Sequence, residues 1–488
     1  MKYIAKYDYI KFKQCPRLFA YNWLDIRPSA GEIDPLKDFL TLQGIEVGIL
    51  AKDLFKNRAT YNVNQKNVTL AFIETKEALG SVDVIFEGAF EYEGLITRPD
   101  ILNFKDNELV EIKSTTEVKD DHILDIAFQK YLLEKCGVKI NKVKIGHINK
   151  QYVFDGTLDL NDFFIFTDVT EIISHKILEL ENDLLIINDI IKNGVLPERL
   201  IGSHCNSESG CPYKKDCWDE ATLDSIFNLR RDVSGKKFDL HREGIKQLKD
   251  IPSYVTLTNF QKLQKEAEIH SCAIVNHFAI AEAIHEVVYP IYFLDFEAFI
   301  QAIPRYPKTT PYQQIPFQAS IHRLKGQGLK LKHFSFLNID DTDPRLALSK
   351  FLIKSLEEYG SIIAYHASYE KGRLYELIKS APQYEKELLA LIDRIWDLEE
   401  IFNKGMYVHP DFQGSTSIKK VLPVICPKLS YDDLGINNGT LASVQYLKMI
   451  SKDTSKEKKE KIKNDLEAYC SLDTFAMYSI FKKISELI

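Results

Sequence analysis

Asp100, Glu111 and Lys113 fall in TRPDILNFKDNELVEIKST, which reads as two strands joined by a polar turn around Asp106–Asn107. Side chains alternate along a strand, so Glu111 and Lys113 share one face while Val110 and Ile112 point into a core. Asp100, on the preceding strand, can be brought beside them. Two carboxylates that close repel each other unless a divalent cation lies between them. Such a cation polarises a phosphoryl oxygen and lowers the pKa of a bound water, while a lysine stabilises the developing charge. Taken alone, Glu-x-Lys is also the pattern of an ordinary ion pair on a solvated strand face.

A second set of acids lies near the other end of the chain. In IYFLDFEAF, Asp295 and Glu297 are two apart and project from one face of an otherwise apolar strand. Burying both without a partner costs several kcal/mol by order of magnitude. A metal is one remedy and a pair of arginines is another. In NDLEAYCSLDTFAMYSIFKKI, Leu466, Cys470, Met477, Ile480 and Ile484 form one helical stripe with Asp473 in its middle. Tyr469, four residues earlier, lies beside Asp473. Glu370 in IIAYHASYEKGRL and Asp397 in IWDLEE are further acids. Asp397 reads first as the charge of a helix N-terminus.

The eight cysteines are too sparse for a disulfide scaffold. Cys205, Cys211 and Cys217 fall within thirteen residues, and Cys15 lies in KQCPRLF near the start. The opening MKYIAKYDYI has no apolar signal-peptide core, and no run suggests a membrane span. The expectation is a soluble cytoplasmic protein with reduced thiols and no membrane partner. Clustered cysteines there hold metal more often than disulfides.

The elements that must position these groups can be placed from periodicity. Helical spacing runs through 36–56, 121–136 (with Gly137 as a stop) and 169–194. Strand-like stretches cover 83–92, 95–104 and 108–114. A polar helical segment separates them from an apolar strand that begins at Tyr289. The 488 residues suggest about three folding units, with boundaries at 1–221, 222–285 and 286–488. With 45% hydrophobic and 27% charged residues, wholesale disorder is excluded. The net charge of −7 lacks the basic surplus of a nucleic-acid binder, a weak exclusion. Residues 452–463 hold six lysines against three acids, and Lys142, Lys144 and Lys150 lie near the first acidic group. Both sets suit a phosphate backbone or a solvated surface.

The joint pattern of residues 5–220 resembles the PD-(D/E)XK nucleases of RecB-like type. Pro99-Asp100, Glu111 and Lys113 stand where that family has its signature, and Gln129 and Tyr131 in FQKY resemble the glutamine and tyrosine that follow it. Members often add a histidine or glutamate from an early helix. Here the sequence runs Gly44-Ile-Glu46-Val-Gly48, so glycine takes that place and Glu46 is the substitute. One cysteine upstream and three downstream resemble the iron–sulfur branch, which includes CRISPR-associated exonucleases and AddB-type helicase–nucleases. The resemblance implies a [4Fe–4S] cluster on Cys15, Cys205, Cys211 and Cys217. The wide Cys205–Cys211 gap keeps a zinc site open, with His204 as a further ligand.

Residues 286–488 resemble the DnaQ-like DEDD exonucleases of the ribonuclease H-like fold. Asp295 and Glu297 match the first motif, and Tyr469 and Asp473 the last. His366-Ala-Ser-Tyr369-Glu370 stands for the middle motif, with glutamate in place of aspartate. The run also resembles an uncharacterised bacterial domain found fused behind RecB-like nucleases. Together these resemblances imply α/β and α+β architecture, a restriction-endonuclease-like domain followed by a ribonuclease H-like one. They imply a metal-dependent deoxyribonuclease using Mg²⁺ or Mn²⁺. Asp100, Glu111, Asp295, Glu297, Glu370 and Asp473 would be its ligands, and single-stranded DNA or duplex ends its partner, with RNA a second candidate. DNA repair and defence both fit. Two other classes stay open: a nucleic-acid-binding scaffold with one or both sites inactive, and a structural zinc protein.

Overall fold

The computed structural model describes residues 2–28, 35–64, 66–206, 210–218 and 224–488. The expected boundary between residues 221 and 222 lies outside the described residues. The chain divides into two compact units, 1–219 with 301–313, and 220–300 with 314–488. Both are mixed α/β. Among the described residues, no helix is long and apolar enough to cross a membrane.

The first unit opens with β1 (Ile4–Ala5), α1 (Lys6–Gln14) and α2 (Pro16–Trp23). Cys15 sits at the corner in an extended conformation (φ −163°), and Pro16 starts α2 where its missing N–H costs nothing. Next come α3 (Pro35–Lys52), β2 (Thr60–Asn62), α4 (Val68–Ala78), β3 (Val84–Phe86), β4 (Phe90–Tyr92), β5 (Leu95–Thr97), β6 (Ile101–Asn103) and β7 (Glu108–Lys113). The unit continues with α5 (Asp120–Lys135), β8 (Lys142–Ile148), α6 (Leu160–Phe163), β9 (Phe164–Asp168), α7 (Thr170–Asn193) and α8 (Lys214–Cys217).

Its main sheet has the order β2-β3-β6-β7-β8-β9, with β7 and β8 parallel and α5 as their crossover. A second sheet runs β1-β5-β4. The stretches 83–92 and 95–104, each expected as one strand, are both split between the two sheets. The first breaks at Glu87, which has φ +57°, and Gly88; the second breaks at Pro99, which has no N–H to give to a ladder. Leu109, Val143 and Ile145 pack beneath α5 and α7, while Val110 and Ile112 face Val47 and Ala51 of α3. The alternation on β7 therefore turns Glu111 and Lys113 toward α5.

The second unit begins with α9 (Lys236–Arg242), α10 (Asn259–His270), β10 (Ile274–Val275) and α11 (His277–His285). Next are β11 (Ile291–Phe299), β12 (Ile315–Leu324), β13 (Lys332–Leu337), α12 (Arg345–Ser355), β14 (Ile362–Ala364), α13 (Ser368–Ser380) and α14 (Glu385–Asp393). It ends with β15 (Ile395–Asp397), α15 (Glu399–Asn403), β16 (Tyr407–Val408), α16 (Ile418–Ile425), α17 (Gly439–Ile450) and α18 (Lys456–Ser485). The sheet order is β13-β12-β11-β14-β15, antiparallel on one side of β11 and parallel on the other. The segment 222–285 belongs to this unit, and β10 pairs with β16. Tyr292, Leu294 and Phe296 of β11 pack with α12, α13 and α14. Phe293, on the opposite face, meets Tyr478 and Phe481 of α18. Asp295 and Glu297 share that second face.

Candidate metal centre

Strand β11 delivers Asp295 and Glu297 two residues apart, and α18 delivers Asp473 from the middle of its buried stripe. One ligand oxygen from each lies within 4.8 Å of the others, the one such set of three among the described residues. Glu370, in the first turn of α13, is 2% exposed, and its Oε2 has no hydrogen-bond partner among the described residues. Glu297 and Asp473 are also buried, at 6% and 7% exposure. Exposed carboxylates cluster without consequence, but buried ones at this density need compensation.

Titration directions report the same deficit. Burial, then the Asp473 carboxylate, pushes Asp295 well above the usual carboxylate range. Burial, then Asp295 and Asp473, does the same to Glu297, and burial, then Asp295, to Glu370. Burial raises Asp473 to about 6, restrained by the Tyr431 hydroxyl, Lys419 and Tyr469. Arg373, buried and bound to Glu376, acts on Glu370, and Lys419 acts on Glu297 and Asp473, yet all four acids stay raised, which fits one or two divalent ions held by oxygen ligands.

Several residues around these acids carry no recognisable spacing in the sequence. Tyr431 donates to Asp473 Oδ1 at 2.6 Å, and the Cys470 thiol donates to Asp295 Oδ2 at 3.4 Å. Lys419, exposed near the start of α16, holds its Nζ 5.8 Å and 5.9 Å from the Tyr431 and Tyr469 ring centres. Asp397 does not join the acids. It accepts from the backbone N–H groups of His366, Ala367 and Glu399, which makes it a cap for the turn before α13 and for α15.

The first unit assembles a different kind of cluster. Asp100 Oδ2 accepts from the Ile112 N–H at 2.7 Å. Glu111 Oε1 accepts from Lys6 at 2.5 Å and Lys113 at 2.9 Å, and its Oε2 from Gln129 at 2.8 Å. Asp125 joins them, 2.5 Å from Lys113 and 3.3 Å from Lys6, and accepts from Gln129 at 2.7 Å. Burial pushes Glu111 up, but Lys113 and Lys6 outweigh it and hold the carboxyl well below its usual range. Burial, then Glu111, raises Asp100 to about 7. Asp100, Glu111, Lys113 and Gln129 are thus brought together. Tyr131 is not, since two residues beyond Gln129 lies on another side of the helix. Its ring instead lies 5.0 Å from Lys135 Nζ. Glu46 is on the exposed face of α3, away from the residues that meet the sheet.

Cys15, Cys205, Cys211, Cys217 and His204 line one cavity. Gln14 bridges the carbonyls of His204 and Gly210, both at 3.1 Å, and Tyr21 stacks on Tyr213 at 4.6 Å. These contacts tie the N-terminal helices to the cysteine-rich segment. A single zinc draws four thiolates to roughly 4 Å of one another, given Zn–S bonds of about 2.3 Å. Among the described residues, no three of these thiols lie within 4.8 Å of each other. A donor set of four thiols with a histidine suits a soft metal site.

Residues 292–417 match a family model described as Domain of unknown function (DUF2779). That segment contains Asp295, Glu297 and Glu370, and stops short of Tyr469 and Asp473. An uncharacterized protein of Ureaplasma parvum serovar 3 is 23% identical over 580 residues, covering 89% of this chain and 81% of that protein. An uncharacterized protein of Mycoplasma pneumoniae is 29% identical over 220 residues, covering 41% of this chain and 32% of that protein. One of Mycoplasma genitalium is 27% identical over 216 residues, with the same coverage. No solved structure matches.

Proposed function

We propose that this chain is a metal-dependent nuclease that hydrolyses DNA phosphodiesters, with its principal centre in the second unit. The observation that carries this reading is the convergence of Asp295, Glu297 and Asp473 within 4.8 Å beside Glu370, whose Oε2 has no hydrogen-bond partner among the described residues. The sheet with acids on its middle strand and on the last helix supports a ribonuclease H-like exonuclease fold. The first unit's sheet, with Asp100 and Glu111 on adjoining strands, supports a restriction-endonuclease-like one.

Asp295, Glu297, Glu370 and Asp473 would hold Mg²⁺ or Mn²⁺. Bound ions would polarise the scissile phosphoryl group and lower the pKa of the attacking water. Tyr469, one turn before Asp473, would orient that water. Tyr431 fixes the Asp473 carboxylate, and Lys419 offers positive charge at the edge of the acids to a phosphate oxygen. In the first unit Asp100 and Glu111 would hold an ion, Lys113 would face the developing charge, and Gln129 would fix Glu111. The four cysteines would carry the iron–sulfur cluster as a brace between the N-terminal helices and α8.

A second reading applies to the first unit alone. Glu111 already has both oxygens taken by Lys6, Lys113 and Gln129, which favours a charge-balanced scaffold at that position. Asp295→Asn and Lys113→Ala, compared with the parent on end-labelled single-stranded and duplex DNA and RNA, separate the readings. Activity lost only in Asp295→Asn supports a scaffold role for the first unit. Loss in both supports two working sites, and loss in neither sinks the catalytic assignments.

A further inference from the structure

Away from the acids, the second unit has an open pocket of ≈ 380 Å³ whose lining includes Phe227, Arg230, Arg231, Gln413, Gly414 and Ser415. Among the described residues, no acidic side chain lines it, in a chain whose net charge is −7. The two guanidinium groups converge: Arg230 Nη2 and Arg231 Nη2 both donate to Asn403 Oδ1, at 2.6 Å and 2.8 Å. Arg230 also donates to Gly414 O at 3.0 Å and Thr416 Oγ1 at 2.9 Å, and lies 4.8 Å from the Phe260 ring centre. Lys420 adds a third cation, bound at 2.7 Å to the Gln413 side chain that lines the pocket.

Two carboxylates lie nearby: Glu399, whose oxygens are taken by His366 and Thr416, and Asp232, which follows Arg231 and whose oxygens accept from Ser234 and from the N–H groups of Lys236 and Lys237. Two guanidiniums gathered on one neutral amide oxygen repel each other, and an anion between them removes that repulsion. Burial and then Arg231 hold the Arg230 pKa below its ordinary value, in keeping with such crowding. The frame is rigid. A Cβ on Gly414 would meet Asn228 O at 1.9 Å, so this turn presses directly on the segment that carries the arginines.

We infer that this pocket binds a backbone phosphate of the single-stranded nucleic acid whose end is held at the Asp295–Glu297–Asp473 centre. The inference rests on the nuclease reading and adds a strand-holding subsite to it. The pocket wall is close in sequence to Lys419, which acts on Glu297 and Asp473. Ser415 is four residues from Lys419, at most about 14 Å apart even if fully extended. A strand with one phosphate at Lys419 needs only a few nucleotides to place another at Arg231. Arg230 is the anchored member of the pair, and Arg231, exposed, is the one that meets the strand.

Arg231 has φ +50°, a conformation glycine adopts freely, so Arg231→Gly removes the side chain without straining the backbone. Arg231→Lys keeps the charge and serves as the second variant. Full-length Asp295→Asn protein, with and without each change, is titrated against a fluorescent single-stranded oligothymidylate at several salt concentrations. Thermal melting checks that each variant is folded. Arg231→Gly is expected to weaken binding about tenfold and to flatten the salt slope by about 0.7, one phosphate contact on a single strand. Arg231→Lys should keep most of the slope. Unchanged affinity and slope in a folded Arg231→Gly protein overturn the pocket and leave the nuclease reading standing. Absence of strand binding by the Asp295→Asn parent overturns both.

Discussion

The four acids around β11 store a pH-dependent cost. Asp295, Glu297 and Glu370 are held well above the carboxylate range and Asp473 sits at about 6. In the unfolded chain such groups ionise near 4. Between about pH 4 and their folded values, the native state therefore keeps protons that the unfolded chain has released. This contribution to stability is complete below about pH 4 and declines as pH rises through the folded values, beginning with Asp473. Thermal melts of metal-free protein across this range should show the decline, and Asp295→Asn should flatten it. Mn²⁺ should raise the melting temperature, and more so at pH 8 than at pH 5, because the ion binds the ionised form. A Mn²⁺ effect independent of pH and of Asp295 would place the ion elsewhere. In the Lys6 cluster Glu111 behaves oppositely, its carboxyl held well below the usual range. Lys6→Met leaves Glu111 and Asp125 buried with one cation fewer, and should cost about 3–5 kcal/mol in denaturant unfolding.

At the scale of elements, what the sequence showed and what it hid divide along physical lines. The alternation of IYFLDFEAF and the stripe of α18 are local periodicities, and both place their acids on the faces the structure shows. Glu370 was visible as a carboxylate of longer reach in a familiar position, and it lies beside Asp295. Lys6 and Asp125 were not visible, because Lys6 reaches Glu111 across 105 residues and no local pattern marks such a pairing. Tyr131 failed for the opposite reason, a motif neighbour carried around the helix away from Gln129. Strands 83–92 and 95–104 were apolar enough to look continuous, while Glu87 and Pro99 divert each into a second sheet. The packing of β11 on α18 should be correspondingly critical. Phe293→Ala empties a fully buried ring between Tyr478 and Phe481, and is expected to cost about 3–5 kcal/mol in equilibrium unfolding. Because it disturbs the strand that aims Asp295 and Glu297, it should weaken Mn²⁺ binding as well.

For the whole molecule, the net charge of −7 understates how unevenly charge is placed. Acids gather on β11, α13 and α18, and arginines gather at residues 230–231, so the total says little about the field a phosphate meets. The four thiols of the first unit carry an independent expectation. Anaerobically purified protein should be brown, with iron and sulfide in equal amounts, and Cys15→Ser should bleach it and lower the melting temperature. A colourless protein with stoichiometric zinc would replace the cluster by a zinc site.

The Asp295–Glu297–Glu370–Asp473 centre is proposed to bind divalent metal and cut nucleic acid. The most direct measurement is the degradation rate of end-labelled single-stranded DNA by full-length protein in Mn²⁺, compared with Asp295→Asn and Asp473→Asn. Metal-dependent degradation that falls about a hundredfold or more in each variant is the expected result. Degradation equally fast in both variants, or none by the parent in any divalent metal, would contradict it.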